Sequence, residues 1–115
     1  MKGGMMYKQG DIVLIPFLYT DLTGMKQRPA LIISNESINK TEDRICCLIT
    51  SNEPLEGILL QKDSFQNNLL PFKSWVKPQR LFTIHERIVK KKLCSVTKKF
   101  QKEIFTSIHS SLQIE

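Results

Sequence analysis

A mainly β fold of the α+β class, a small barrel or curled sheet with one amphipathic helix at the C-terminal end, is what this sequence predicts. Three observations carry that prediction. Short β-rich apolar runs alternate with turn-prone segments over most of the chain. The hydrophobic period then changes from 2 to 3.6 toward the C-terminus. Finally, 115 residues have room for one domain around one core, so residues 1–115 read as a single unit.

The first strand is Asp11–Leu18, an apolar run closed by the turn-prone Thr20-Asp21-Leu22-Thr23-Gly24. Arg28-Pro29 then opens a second run, Ala30–Ile33, and proline is tolerated at the first position of a strand. Arg28, preceding proline, should be extended. The polar stretch Ser34–Asp43 leads to a third run, Arg44–Ile49, which ends in Thr50-Ser51-Asn52. Together the second and third runs read as a long hairpin. Gly57–Gln61, Ser74–Lys77 and Ile88–Leu93 supply further short strands, the middle one stopping before Pro78. In the C-terminal stretch Phe100, Ile104, Phe105, Ile108 and Leu112 share one face of a helix capped by Thr97. Its phenylalanines are assigned to the core. Lys98 and Lys99 oppose the helix dipole at a cost of about 0.3–1 kcal/mol, which packing of the apolar face outweighs.

With 41% hydrophobic and 24% charged residues the composition is that of a folded globular chain, and it excludes a disordered or low-complexity one. The longest apolar run, Ile12–Leu18, is interrupted by Pro16 and falls far short of the roughly 20 residues of a membrane helix. The charged N-terminal segment lacks the apolar stretch of a secretory signal, so the expected location is cytoplasmic, with no membrane partner. Three cysteines, two of them adjacent at Cys46 and Cys47, make a poor disulfide framework and read as reduced, buried thiols.

The net charge of +6 is concentrated in one part of the chain. Residues 1–72 hold 7 Lys/Arg and 8 Asp/Glu, whereas residues 73–115 hold 10 and 3. A basic surface of this kind points to a polyanion, most often nucleic acid. Lys90-Lys91-Lys92 also fits a solvated strand edge that discourages aggregation.

The hairpin has a geometric consequence. If its strands pair antiparallel, the start of one lies beside the end of the other, so Arg28 faces Thr50 and Ser51. Opposed side chains are about 5 Å apart at Cβ. A guanidinium, two hydroxyls and the Tyr19–Gln27 loop then meet at one rim, where functional loops on rigid scaffolds commonly sit. Spacing alone leaves a bland alternative, in which Arg28 pairs with Asp21 and Thr50 is a strand former.

The segment from Gly10-Asp11 through Pro16-Phe17, Thr20-Asp21 and Gly24 to Arg28-Pro29-Ala30 closely resembles the opening of the MazF/PemK toxins. These are sequence-specific endoribonucleases (mRNA interferases) of type II toxin-antitoxin modules. The resemblance continues through Leu48-Ile49-Thr50-Ser51, where the family carries its catalytic threonine, and Phe82-Thr83-Ile84. It is weakest from Asn52 to Lys73. His85 stands where an aspartate is usual, Phe82 where a basic residue is common and Cys94 where a glycine is common. The resemblance implies an SH3-like barrel with a C-terminal helix and a homodimer whose subunits together shape an RNA groove. It also implies inhibition by a cognate MazE/PemI-like antitoxin.

The implied chemistry needs no cofactor and no metal. The 2′-hydroxyl of RNA attacks the adjacent phosphate, a route DNA lacks, and leaves a 2′,3′-cyclic phosphate and a 5′-hydroxyl. The enzyme supplies in-line positioning and donors aimed at the charge developing on the phosphorane. On this resemblance Arg28 and Thr50 are the catalytic pair, Arg28 through its donor fork and Thr50 through a hydrogen bond to a non-bridging oxygen, with Ser51 as helper. Phe17, Thr20, Asp21 and Gln27 would line the base-reading groove, and Lys77, Gln79 and Arg80 would contact backbone or bases of single-stranded RNA.

Other residues offer weaker chemistry. His85, His109 and the cysteines match no zinc spacing, and Cys46 and Cys47 must point to opposite faces of a strand. Trp75 could stack on a base, although a lone strand tryptophan is more often core. The competing function comes from the gyrase poison CcdB, which resembles the same fold and binds a topoisomerase without nuclease activity. In that reading Arg28 and Thr50 have no catalytic task.

Overall fold

The computed structural model describes residues 6–18 and 25–115. The predicted Thr20–Gly24 turn, with the site candidates Thr20 and Asp21, lies outside the described residues. Six antiparallel strands form one curled sheet: β1 (Asp11–Leu18), β2 (Met25–Ile32), β3 (Asp43–Thr50), β4 (Ile58–Leu59), β5 (Trp75–His85) and β6 (Lys91–Ser95), in the order β4-β5-β3-β2-β1-β6. A one-turn helix, α1 (Glu36–Asn39), links β2 to β3, and α2 (Lys98–Ser111) closes the chain. No helix among the described residues is long and apolar enough to cross a membrane.

Both faces of the central strands are apolar, and this follows from their composition. Neighbouring residues in a strand point to opposite sides, so continuous apolar runs such as Ile12-Val13 and Leu31-Ile32 feed two cores. One holds Ile12, Leu31, Cys47, Ile49 and Val76 beneath Phe100 and Ile104 of α2. The other gathers Val13, Ile15, Ala30, Ile32, Cys46 and Ile84. Cys46 and Cys47 therefore separate as expected, and all three thiols are free and buried.

Buried polar groups fix the ends of the sheet. Asp11 accepts hydrogen bonds from the Lys8 N–H (3.0 Å) and the Ser95 hydroxyl (2.9 Å), and lies 3.4 Å from the Lys92 ammonium. It thereby ties β1 to β6. Gly10, just before it, has φ +94°, and a Cβ there would meet the Gln101 side chain at 2.5 Å. The Gln101 amide is the far end of a flexible side chain and can move aside; it is the positive φ that favours glycine here. Arg44 is fully buried, donating to the Tyr7, Thr41 and Asp43 carbonyls and pairing with Glu86 at 3.2 Å.

Several element boundaries depart from the sequence reading. β2 begins at Met25, so Pro29 sits inside the strand. It is tolerated because pairing with β3 begins only at Ala30. β5 runs through Pro78 instead of stopping before it. Its register against β3 jumps from Leu48↔Lys77 to Cys47↔Leu81, leaving Pro78, Gln79 and Arg80 as a bulge. β6 starts later than Ile88, because Glu86–Ile88 forms a 3₁₀ turn capped by the His85 Nδ1, which accepts the Arg87 N–H at 3.0 Å. β4 is shorter than predicted.

The helix is where the periodicity placed it. Thr97 Oγ1 accepts the Phe100 N–H at 3.1 Å, and Phe100 and Ile104 are buried. Two residues of the predicted face are not core. Phe105 is 38% exposed and Leu112, beyond the last helical turn, is 69% exposed. A helix laid across a curved sheet buries a narrower stripe than its apolar arc.

Candidate active site

The β2–β3 ladder pairs Ala30 with Leu48 and Leu31 with Cys47. Carried two residues further, the same register puts Arg28 opposite Thr50, the arrangement the hairpin predicted. Neighbouring ladders extend this row: Arg28 pairs with Ile15 of β1, and Thr50 with Trp75 of β5. Opposed residues in antiparallel strands share a face, so Arg28, Thr50 and Trp75 emerge on one side of the sheet near its rim.

Thr50 ends β3 half-buried. Its Oγ1 accepts the Asn52 N–H at 3.1 Å and its proton is directed to the Asn52 carbonyl at 3.4 Å. The first bond fixes the oxygen. The second is long enough to be weak, leaving a donor that a better acceptor can take over. Half-buried Arg28, with Gln27 and Ser51, lines an open cavity of about 410 Å³. No carboxylate lines that cavity among the described residues.

The remaining sequence candidates are spread around this rim. Phe17 lies opposite Lys26, and its ring meets Phe82 edge-on, 5.9 Å between centroids. Lys77 pairs with Leu48, placing it on the Arg28–Thr50 face two residues from Trp75. Gln79 and Arg80 are exposed in the β5 bulge. A bulge redirects side chains away from the regular alternation, which is why strand periodicity gives no reading of where these two point.

Trp75 departs from its core assignment. It is half-exposed, and the Lys73 ammonium sits 5.7 Å from its ring centroid, a cation–π distance. Phe72, which the sequence reading passed over, and Lys91, read there only as part of the basic Lys90-Lys91-Lys92 edge, line the Arg28 cavity. Lys91 carried a signal, its place in the basic C-terminal third; Phe72 carried none.

The other reactive side chains lie elsewhere. Burial pushes the Cys46 and Cys47 thiols up to about 12 and Cys94 to about 11, so none is a nucleophile near neutral pH. His85 faces Glu42 at 3.5 Å, and His109 is exposed on α2. Among the described residues no three His, Cys, Asp or Glu side chains cluster as a metal site would require.

A curled six-stranded sheet with one C-terminal helix is the fold of the small MazF-type toxins. In all, 68 chains of known structure match it. An endoribonuclease in complex with its cognate antitoxin from a mycobacterial species superposes with a TM-score of 0.75 at 18% identity, over 95% of this chain and 99% of the other. MazE–MazF from Deinococcus radiodurans gives 0.75 at 18% identity, over 95% and 98%. The Mycobacterium tuberculosis toxin MazF-mt6 gives 0.69 at 15% identity, over 91% and 98%. No curated protein matches the sequence. The family is settled by the sequence model of the PemK-like, MazF-like toxins of type II toxin-antitoxin systems, which matches residues 8–112. The chain belongs to that family.

Proposed function

We propose that this toxin is a metal-independent, sequence-specific endoribonuclease that cuts single-stranded RNA. The 2′-oxygen forms a bond to phosphorus as the bond to the 5′-oxygen breaks. A proton leaves the 2′-hydroxyl and one reaches the departing 5′-oxygen, giving 2′,3′-cyclic phosphate and 5′-hydroxyl ends. Family membership and the endoribonuclease activity of the structural neighbours support this reading. The observation that carries it is the β2–β3 register, Ala30↔Leu48 and Leu31↔Cys47, which extended by two residues sets Arg28 against Thr50.

Arg28 stabilises the negative charge that grows on the non-bridging oxygens, in a site where fixed donors need no reorganisation. A guanidinium keeps its proton at ordinary pH, so its task is electrostatic and not that of a base. Thr50 gives up its weak bond to the Asn52 carbonyl and donates to the phosphate, while the Asn52 N–H holds the oxygen in place. Ser51, Gln27 and Phe17 adjoin this centre, and Lys77, Gln79 and Arg80 provide contacts to the RNA on the β5 side. Thr20 and Asp21 complete the base-reading loop. The working unit is a cytoplasmic homodimer silenced by a MazE-type antitoxin; the neighbours solved with antitoxins support the latter. Family membership weighs against the topoisomerase-binding alternative.

Arg28→Ala tests the proposal. Cleavage of a long single-stranded RNA should fall by about a hundredfold or more, the size of effect seen when a charge-stabilising donor is removed, with circular dichroism unchanged. A near-normal rate overturns the assignment.

A further inference from the structure

We propose that Trp75 is the base-stacking residue of the cleavage site, its indole holding the base of a nucleotide that flanks the scissile phosphate beside Thr50. This rests on the endoribonuclease reading above and adds a residue that reading does not use. Stacking at Trp75 positions the strand for cleavage.

The register places the indole. Thr50 pairs with Trp75 of β5, and Trp75 in turn with Leu59 of β4. Opposed residues share a face, so Trp75 stands on the Arg28–Thr50 side, one strand beyond Thr50 and about 4.8 Å across the sheet. A nucleotide whose phosphate rests on Thr50 therefore has its base within reach of that ring.

Burial separates the two faces at this end of the sheet. Ile49 and Val76, the sequence neighbours of Thr50 and Trp75, are fully buried in the core under α2, because adjacent strand residues point to opposite sides. On the other face Thr50, Trp75 and Lys77 are each only partly buried. Neither core cluster of the described residues includes Trp75. An indole that no core cluster takes up, left partly in water next to Thr50, is a large flat surface for a second ring.

Charge identifies the occupant. The Lys73 ammonium lies 5.7 Å from the ring centroid, and Lys77 stands two residues along on the same face. Single-strand binders combine an aromatic platform of this kind with cations that follow the phosphates. The cation–π contact of an exposed lysine is weaker than base–aromatic stacking, so an incoming base displaces the ammonium from the ring and frees it for a phosphate. An apolar side chain of a protein would cover the ring but leave both ammonium groups unmatched.

The test uses the full chain, in which Trp75 is the one tryptophan, so that indole fluorescence reports this position alone. The preferred cut site is mapped on a randomised single-stranded RNA pool, and an oligonucleotide of that sequence with a 2′-deoxy sugar at the cut then binds without being cleaved. Binding should quench the indole. Removing the base at one position beside the cut should abolish the quenching, and removing a base elsewhere should not. Trp75→Leu should raise KM about tenfold, as loss of one stacking aromatic does, and leave kcat within about twofold, the mark of lost binding. Trp75→Phe, which keeps a ring, should lie closer to the wild type. A bound oligonucleotide that leaves the fluorescence unchanged, or quenching indifferent to which base is missing, overturns the stacking; where the wild type cuts RNA and Arg28→Ala does not, the nuclease reading still stands. Wild-type KM in a folded Trp75→Leu variant has the same meaning. No cleavage by the wild type removes both proposals. If a MazE-type antitoxin quenches the indole and RNA does not, the ring receives a protein segment and the base assignment is wrong.

Discussion

Thr50→Val is the most economical single-residue probe, because it keeps the β-branched shape and deletes only the hydroxyl. Cleavage at saturating RNA should be at least tenfold slower, with the fold unchanged; an unaltered rate would return Thr50 to a purely structural role. Arg28 and Thr50 were legible together because antiparallel pairing sets the start of one strand near the end of the other, and the apolar pattern of the two runs limits the register. Gln79 and Arg80 were legible as candidates but not as positions, since the bulge after Lys77 follows no alternation rule. Phe72 was illegible for a different reason. An exposed aromatic in an irregular segment has no periodic neighbours, and only the folding of that segment against β1 and β6 brings it beside Arg28.

At the scale of elements, periodicity identified β1 and α2 to the residue or nearly so, because each has a long uninterrupted pattern and a clear cap or turn. It failed at prolines. Pro29 and Pro78 both lie inside strands, one where pairing with β3 has not begun and the other in a bulge, and neither exception can be seen without the pairing partner. The helix offers a quantitative contrast. Ile104 is fully buried while Phe105, adjacent in sequence and assigned to the same face, is 38% exposed. Ile104→Ala should cost about 2–5 kcal/mol of stability, and Phe105→Ala well under half as much. Thr97→Ala should remove about 1 kcal/mol by leaving the Phe100 N–H without its cap. Urea unfolding of the three variants checks all of this; equal losses at 104 and 105 would contradict the packing described.

The molecule as a whole carries three buried thiols with raised pKa values, and this gives its stability a definite dependence on pH. A thiol that ionises near 9 when unfolded and near 11–12 when folded favours the folded state fully below pH 9. That contribution is lost as pH rises from about 9 to 12, by about 1.4 kcal/mol per pH unit for each thiol. Denaturation midpoints should therefore fall through this window, and replacing Cys46 and Cys47 by alanine should reduce the slope. An identical slope in the double variant would show that other groups set it.

The succession of short strands followed by one helix pointed to a barrel or curled sheet, and the two apolar faces of the central strands agree with it: runs such as Ile12–Ile15 do not fit a sheet with one wet side. The order β4-β5-β3-β2-β1-β6 was not readable, because β6 returns to pair with β1 across most of the chain, and no local pattern encodes so distant a partner. The whole fold brings one strand end from each half of a hairpin to a common rim.

The central claim is that this rim cuts RNA by the RNA's own hydroxyl. The most direct measurement is cleavage of a long single-stranded RNA in excess EDTA, wild type beside Arg28→Ala, with the new ends mapped chemically. Discrete cuts bearing 5′-hydroxyl and 2′,3′-cyclic phosphate ends should appear with the wild type and be absent in the variant. Intact RNA at high concentrations of folded, antitoxin-free protein, or cuts bearing 5′-phosphates, would contradict it.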